Sequence, residues 1–210
     1  KLFTGDKRFL RIDASELKSS ELANARLLGM PIGYKGFEQG GTLTEFARRH
    51  KGGVVLVDEF EKAGDGVEDL FMRALDTGSV TSAVGEVFDL TNFVFIFTTN
   101  AGVKKESRVG FMSQEAEVDP RVALSGSFKP EVLNRFDDVI QFEALKKSDL
   151  AKIAVNTLSD MLESSRKRGD KAKMSKKRIQ TLAAEVAEVA TNGRQAWRIA
   201  HDRFLDGLVE

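Results

Sequence analysis

The sequence predicts an α/β domain built on a parallel sheet, followed by a small all-helical unit. Three observations predict this fold class: four short apolar runs, helix-like stretches between them, and purely helical periodicity after residue 142. Continuous runs of β-branched and aromatic residues are typical of strands covered on both faces, as in parallel sheets. Strands that alternate with helices favour a layered α/β architecture.

Each predicted element follows from a local pattern. The predicted strands are Phe9–Ile12, Val54–Val57, Phe93–Phe97 and Val139–Phe142. Amphipathic helices are predicted at Thr42–His50 and Val67–Asp76. After Phe142, apolar residues recur at helical spacing in three further segments: 150–162, 179–189 and 197–208. We therefore predict two domains, residues 1–143 and residues 144–210.

Composition excludes several classes of protein. The chain has 210 residues, with 32 basic and 32 acidic side chains, no Cys and two His. Zero net charge disfavours a nucleic-acid partner, which normally meets a strongly basic face. The basic run 166–173 is interpreted as a solvated loop because no aromatic residue interrupts it. The apolar runs are far shorter than the roughly 20 residues of a membrane span, so no membrane partner is expected. The lack of Cys fits a cytoplasmic location.

The strongest chemical signal is a pair of acids at the end of a predicted strand. Asp58 and Glu59 directly follow Val54–Val57, which puts their carboxylates at the carboxyl edge of the sheet, where α/β proteins bind ligands. In nucleotide hydrolases one such acid organises Mg²⁺ and a second can act as general base on water. The alternative is a strand end followed by an acidic helix start, where carboxylates suit the helix dipole. On this segment alone the two interpretations are about even.

Two further segments place polar groups near that edge. Asn100 follows the strand Phe93–Phe97, so its amide would lie beside the acids and could hold water or a phosphate oxygen. Pro130 fits the first turn of a helix that would present Arg135 just before the last strand. A guanidinium there could reach a phosphate on a neighbouring subunit. The alternatives are a turn-forming Asn and a surface Arg paired with Asp137 or Asp138.

A glycine-rich stretch carries the single Tyr of the chain. Tyr34 and Lys35 lie between Gly33 and Gly36, and Gly40-Gly41 follows shortly after. The spacing does not match a phosphate-binding loop, which needs Gly-Lys-Ser/Thr after a wider glycine spacing. An aromatic ring between glycines suits a loop that grips another molecule. The alternative is a plain loop with Tyr34 packed on the core.

In this order, the motifs resemble the AAA+ module of the Clp-type unfoldases and disaggregases, specifically the second ATPase module of the two-module members. The matching segments are 11–16, 26–36, 56–63, 75–78, 98–100 and 128–137, with a weaker match at Gly193-Arg194 and Arg198. The resemblance covers nearly all of residues 9–142 and is specific because it does not depend on one motif. It implies an AAA+ parallel-sheet core and a helical lid.

The resemblance implies a role for each matching catalytic residue. Asp58 and Glu59 resemble the Walker B pair, with Asp58 toward Mg²⁺ and Glu59 activating water. Asn100 resembles sensor 1, and Arg135 resembles the arginine finger that acts in trans. Arg194 is similar to the sensor 2 arginine, which reaches the nucleotide from the lid.

The resemblance also implies cofactors and partners. ATP and Mg²⁺ are the expected cofactors, and the chain is expected to form a ring with copies of itself, usually a hexamer. Tyr34, with Lys35 beside it, matches the axial pore loop, which pulls an unfolded or aggregated polypeptide through the ring. A partner peptidase or co-chaperone is left open. A DNA-associated AAA+ motor is disfavoured by the zero net charge and by an aromatic rather than basic pore loop.

The sequence departs from the family at the phosphate loop. No Gly-Lys-Ser/Thr occurs in the 210 residues, and the family's phosphate loop and first strand lie before the position that matches Lys1. Residues 1–3 resemble the end of the helix that follows that loop. Two interpretations stay open. A fragment of a longer chain is favoured because an incomplete parallel sheet leaves backbone groups unpaired. The other is a non-hydrolysing AAA+-like scaffold or regulatory module.

Overall fold

The computed structural model describes residues 8–102, 120–169 and 174–206. The chain divides into two compact units, Lys1–Ile140 and Gln141–Glu210. Residues 1–3, residues 170–173 of the basic run and Leu208 lie outside the described residues. Within the described residues no helix combines the length and apolar character that a membrane crossing requires.

The first unit contains a three-stranded parallel sheet. Its strands are β1 (Phe9–Asp13), β2 (Gly53–Asp58) and β5 (Phe93–Phe97), in the order β1-β2-β5. The register aligns Asp13 with Asp58 and Val57 with Phe97, so the carboxyl ends of the strands meet at one edge. Three of the four predicted strands are thus confirmed, together with the parallel arrangement.

The fourth predicted strand is wrong. Residues 139–142 form neither a strand nor a helix, and Ile140 and Phe142 are 73% and 89% exposed. Strand propensity reflects packing against neighbours and pairing of the backbone. No described strand pairs with this segment, so its β-branched and aromatic residues have no ladder to join.

Helices and a hairpin surround the sheet. The helices are α1 (Ser20–Leu28), α2 (Thr42–Arg49) and α3 (Asp65–Thr77), and the hairpin joins β3 (Ser79–Thr81) to antiparallel β4 (Val87–Asp89). α2 and α3 confirm the two predicted amphipathic helices. The Ser19 hydroxyl accepts a hydrogen bond from the Leu22 amide and so caps α1.

Two short helices complete the first unit: α4 (Pro120–Leu124) and α5 (Pro130–Leu133). Pro130 lies in the first turn of α5, as the sequence predicts. The core beneath the sheet edge is rich in aromatic rings. Phe60 packs against Phe97, Phe71 and Phe128, with ring centroids 4.7, 6.0 and 5.7 Å away. The turn that follows β2 is therefore anchored in the core.

The second unit is entirely helical over its described residues. It comprises α6 (Lys147–Lys167), α7 (Lys176–Val189) and α8 (Gly193–Asp206), which confirms the predicted change of pattern. Its core is a separate cluster that includes Leu158, Leu182, Val186 and Phe204. Asn192 occupies the position before α8 and accepts a hydrogen bond from the Gln195 amide at 2.9 Å. The Asn at this position is therefore a helix cap.

Candidate functional site

Thr98 links the ends of β2 and β5. Its hydroxyl donates to the Asp58 carboxylate and accepts a hydrogen bond from the Glu59 amide at 3.2 Å. Its own amide donates to the Val57 carbonyl, and its carbonyl accepts from the Phe60 amide, both at 2.9 Å. One residue thus fixes the backbone and the first carboxylate of the acidic pair.

Arg11 holds the other oxygen of Asp58. The guanidinium extends from β1 across the edge of the sheet and forms an ion pair with that carboxylate. Hydrogen bonds from Thr98 and then from Arg11 hold the pKa of Asp58 below its ordinary value. Asp58 is therefore ionised at neutral pH.

Glu59 lies in a left-handed backbone conformation directly after Asp58. Its φ of 55° makes it a non-glycine residue at positive φ, and no other is found in the described residues. Such conformations cost about 1–3 kcal/mol and persist where the surrounding structure imposes them, often at functional sites. The partly exposed carboxylate accepts a hydrogen bond from Lys62 Nζ at 2.6 Å, and this contact raises the pKa of Lys62. The next residue, Phe60, is buried.

Glu61 connects this turn to Asn100. Its Oε1 accepts a hydrogen bond from the Asn100 amide at 3.2 Å, and its Oε2 is buried without a hydrogen-bond partner among the described residues. The exposed Asn100 is thereby tied through its backbone to the segment that carries Glu59. We call the following residues the sheet-edge cluster: Arg11, Asp58, Glu59, Glu61, Thr98 and Asn100.

Arg135 is held by a residue of another helix. It follows α5 by two residues and forms an ion pair with Asp76, in the last turn of α3. The expectation that Arg135 would pair with Asp137 or Asp138, if it had no catalytic role, is therefore wrong. The two side chains are 37% and 40% exposed, so the guanidinium is open to solvent.

Tyr34 and Lys35 lie in an exposed loop, residues 31–40, which we call the Tyr34 loop. Tyr34 is 61% exposed, so the alternative in which it packs on the core is wrong. Gly33 and Gly36, on either side, have φ values of 95° and 91°, a region that side-chain-bearing residues rarely adopt. Ile32 and Phe37 are exposed as well, so the loop presents apolar groups to the solvent.

Arg194 belongs to the helical unit. It is exposed at the first turn of α8, whose start is fixed by hydrogen bonds among Thr191, Asn192 and Gln195.

In the first unit, the structure brings Asp58, Glu59 and Asn100 to one sheet edge. Arg135 pairs with Asp76, and Tyr34 and Lys35 share the exposed loop.

Sequence reasoning missed four residues of the first unit that contact the predicted ones: Arg11, Glu61, Asp76 and Thr98. All four stand inside motifs that carry the family resemblance. Their partners lie far away along the chain, since the members of each pair in the sheet-edge cluster are 39 to 47 positions apart. No local pattern indicates such partners.

The donor groups at the sheet edge fit a magnesium nucleotide. Carboxylate oxygen is the ligand that Mg²⁺ prefers, and nucleotide sites commonly use one or two carboxylates together with phosphates and water. Within the described residues no group of three or more His, Asp or Glu side chains forms a complete metal cage. The partly exposed carboxylate of Asp58 has the oxygen donors that a magnesium nucleotide site uses.

Comparisons with known proteins identify the family of this chain. Residues 1–139 match the family described as AAA domain (Cdc48 subfamily). The chain is 37% identical over 172 residues to the ATP-dependent Clp protease ATP-binding subunit ClpE of Bacillus subtilis (strain 168), covering 80% of this chain and 24% of that protein. It is 42% identical over 154 residues to the chaperone protein ClpB of Streptomyces albus G, covering 73% of this chain and 18% of that protein.

The fold is also found in a solved structure. A closed-state cryo-EM reconstruction of Hsp104 with ATPγS and FITC casein matches 99% of this chain and 36% of the Hsp104 chain, with a TM-score of 0.81 and 27% identity. The chain spans about a quarter or less of the two curated relatives, 24% of ClpE and 18% of ClpB. The family match covers well over half of the 210 residues. This chain therefore belongs to the AAA domain (Cdc48 subfamily) family and is a Clp-type AAA+ ATPase module.

Proposed function

We propose that this module hydrolyses ATP to thread polypeptide through a ring of identical subunits, as part of a protein unfoldase or disaggregase. The observation that carries the proposal is the Thr98 contact, which holds Asp58 and the backbone of Glu59 together at the sheet edge. The similarity to ClpB, ClpE and Hsp104 supports it. The cytoplasmic location expected from the sequence belongs to the same proposal.

The two acids would have different tasks. Asp58, kept ionised by Thr98 and Arg11, would help to hold Mg²⁺, which neutralises charge on the phosphates when it is bound. Glu59 would accept a proton from the attacking water as general base. Its carboxylate is partly exposed and is positioned by Lys62 at 2.6 Å. Asn100 would orient water or a phosphate oxygen from the neighbouring strand end.

Two arginines would complete the site. Arg135 would act in trans on the nucleotide of an adjacent subunit, which requires a ring, expected to be a hexamer. Arg194 would contact the nucleotide from the helical lid, residues 144–210 of the predicted division. ATP hydrolysis of this kind would also need a phosphate-binding loop, and no Gly-Lys-Ser/Thr sequence occurs in these 210 residues.

The Tyr34 loop would contact the substrate. Its exposed Tyr34 can pack against the side chains of an unfolded chain without regard to sequence, and Lys35 adds a charge beside it. The Hsp104 reconstruction contains FITC casein, and a protein substrate is the corresponding proposal here. A partner peptidase or co-chaperone stays open.

The substitution Glu59→Gln in the full-length protein tests the proposal. Removing the general base while keeping the shape should lower ATP hydrolysis by about 10²–10⁴-fold and leave nucleotide binding intact. Steady-state phosphate release and equilibrium binding of a fluorescent ATP analogue measure the two effects. Glu21→Gln, an exposed change on α1, is the matched control. If the wild-type protein binds ATP without turnover, the non-hydrolysing scaffold is the correct alternative.

A further inference from the structure

We infer that Asp76 is a positioning residue for Arg135, holding the guanidinium in the orientation from which it acts on a neighbouring subunit. The inference rests on the proposed function, which gives Arg135 its role in trans. Asp76 has no role in the proposed function above, where it contacts no nucleotide. The inference adds it as a residue that acts through Arg135. The ion pair between Asp76 and Arg135 is the observation from which it starts.

Asp76 occupies a position that a helix alone does not favour. It lies in the last turn of α3, where the partial negative charge of the helix end disfavours a carboxylate. A cation is favoured there, and Arg135 supplies one. The carboxylate and the helix end therefore attract the same guanidinium.

The end of α3 is a fixed platform for this contact. Gly78 follows the helix in a left-handed conformation. The Thr77 hydroxyl can donate its one proton to the carbonyl of Arg73 or of Ser79, whose oxygens lie 2.9 and 3.1 Å away. Because backbone and side-chain bonds both define the turn, Asp76 is presented in one place rather than on a fraying end.

The backbone that carries Arg135 is fixed as well. Val132 and Leu133 are buried in the core, and the Arg135 amide donates to the Val132 carbonyl at 3.2 Å. On the other side Phe136 packs on Phe97, with ring centroids 5.2 Å apart. The main chain is thus held on both sides, and the long side chain of Arg135 is the part that still has rotamer freedom.

Asp76 restricts that freedom without removing Arg135 from reach. The pair remains more than a third exposed on both sides, and exposed ion pairs are weak enough to be exchanged or shared. The guanidinium keeps its charge at all relevant pH values and has five N–H donors. It can therefore keep one contact with Asp76 while it donates to a phosphate oxygen of the next subunit.

The substitution Asp76→Asn in the full-length protein tests this inference. It should lower kcat for ATP hydrolysis by about two- to fivefold, as expected for the loss of one exposed orienting contact, with KM for ATP unchanged. Asp76→Glu should restore most of the rate. Asp69→Asn, an exposed change on the same helix, should leave kcat unaltered, and thermal midpoints should agree among all variants.

A double-mutant cycle separates positioning from a structural role. Arg135→Ala should lower kcat by about 10³–10⁵-fold if Arg135 is an arginine finger, and adding Asp76→Asn to it should have no further effect. A normal rate for Arg135→Ala would overturn the proposed role of Arg135 itself. An impaired Arg135→Ala with a normal Asp76→Asn, or with additive effects of the two changes, would overturn only the inference about Asp76.

Discussion

The sheet-edge cluster and the Tyr34 loop are held together in opposite ways. In the sheet-edge cluster, hydrogen bonds and ion pairs join residues that lie 39 to 47 positions apart, and a buried aromatic group lies beneath them. The backbone hydrogen bonds within the Tyr34 loop join residues three positions apart, such as Tyr34 to Pro31 and Phe37 to Tyr34. Long-range contacts fix the groups to which we assign chemistry, whereas the loop to which we assign substrate contact is built from local turns.

A pair of Phe substitutions gives the largest expected contrast. Phe60 is 1% exposed beneath Glu59, and Phe37 is 38% exposed in the Tyr34 loop. Phe60→Ala should lower the free energy of unfolding by about 3–5 kcal/mol because it leaves a cavity among aromatic rings. Phe37→Ala should change it by about 0.5 kcal/mol or less. Urea denaturation followed by circular dichroism measures both, and equal losses would contradict the comparison.

Thr98→Val should have the next largest effect. The substitution keeps the shape but removes the hydroxyl that donates to Asp58 and accepts from the Glu59 amide. Losing these two solvent-exposed hydrogen bonds, while Arg11 still pairs with Asp58, should cost about 0.5–1.5 kcal/mol of unfolding free energy and should lower ATP hydrolysis in the full-length protein. Thr98→Ser retains the hydroxyl and is the control. A Thr98→Ser protein as impaired as Thr98→Val would show that the methyl group, not the hydroxyl, matters.

Arg11→Met should have a smaller effect that depends on pH. The pKa of Asp58 is lowered in the folded state, so its contribution to stability is present at neutral pH and is lost as the pH falls through that pKa, below about pH 4. Removing the exposed partner Arg11 should cost about 0.2–1 kcal/mol at pH 7. The difference from the wild type should vanish in acid. Because the Thr98 bond keeps this pKa low in the variant as well, denaturation curves between pH 7 and pH 2 test the prediction, and a difference that stayed constant over that range would disprove it.

Sequence reasoning predicted the sheet where apolar runs were continuous. Val54–Val57 lies within β2, where its residues are buried or partly buried, and Phe93–Phe97 is β5. The predicted cover on both faces fails for β5, because Val94 and Ile96 are each 46% exposed. The same reasoning failed at residues 139–142, where the run exists but no described strand pairs with it. Strand propensity is decided by neighbours, which a local window does not contain.

In the candidate site, too, some residues could be predicted from the sequence and others could not. Asp58, Glu59 and Asn100 were located because acids and amides after parallel strands must meet at one edge. Sequence reasoning does not identify their partners Thr98 and Glu61, or Asp76 as the partner of Arg135. Hydrogen bonds and ion pairs of side chains depend on tertiary packing, which a local pattern does not contain. The left-handed conformation of Glu59 is likewise imposed by its surroundings: Thr98 bonds the amides of Glu59 and Phe60, and Phe60 is buried.

Tyr34→Ala should have the smallest effect on stability and a selective effect on function. Tyr34 is 61% exposed, and its amide and carbonyl bonds to Pro31 and Phe37 involve only the backbone. Removing the ring should therefore change the unfolding free energy by no more than about 0.5 kcal/mol and leave ATP hydrolysis unchanged. In the full-length protein it should abolish the ATP-dependent unfolding of a fluorescent substrate, because the ring would no longer hold the polypeptide.

Tyr34→Phe and Gly36→Ala separate the ring from the loop that carries it. Tyr34→Phe keeps the apolar surface and should retain unfolding. Gly36→Ala adds a methyl group in open space, but it forces a side-chain-bearing residue to a φ of 91°. This change should alter the backbone of the Tyr34 loop without removing the Tyr34 side chain. If Tyr34→Ala unfolded substrate at the wild-type rate, the loop would not grip through its ring. The Tyr34 loop and the sheet-edge cluster would then differ in how they are packed, and the proposed role of the loop in substrate contact would be wrong.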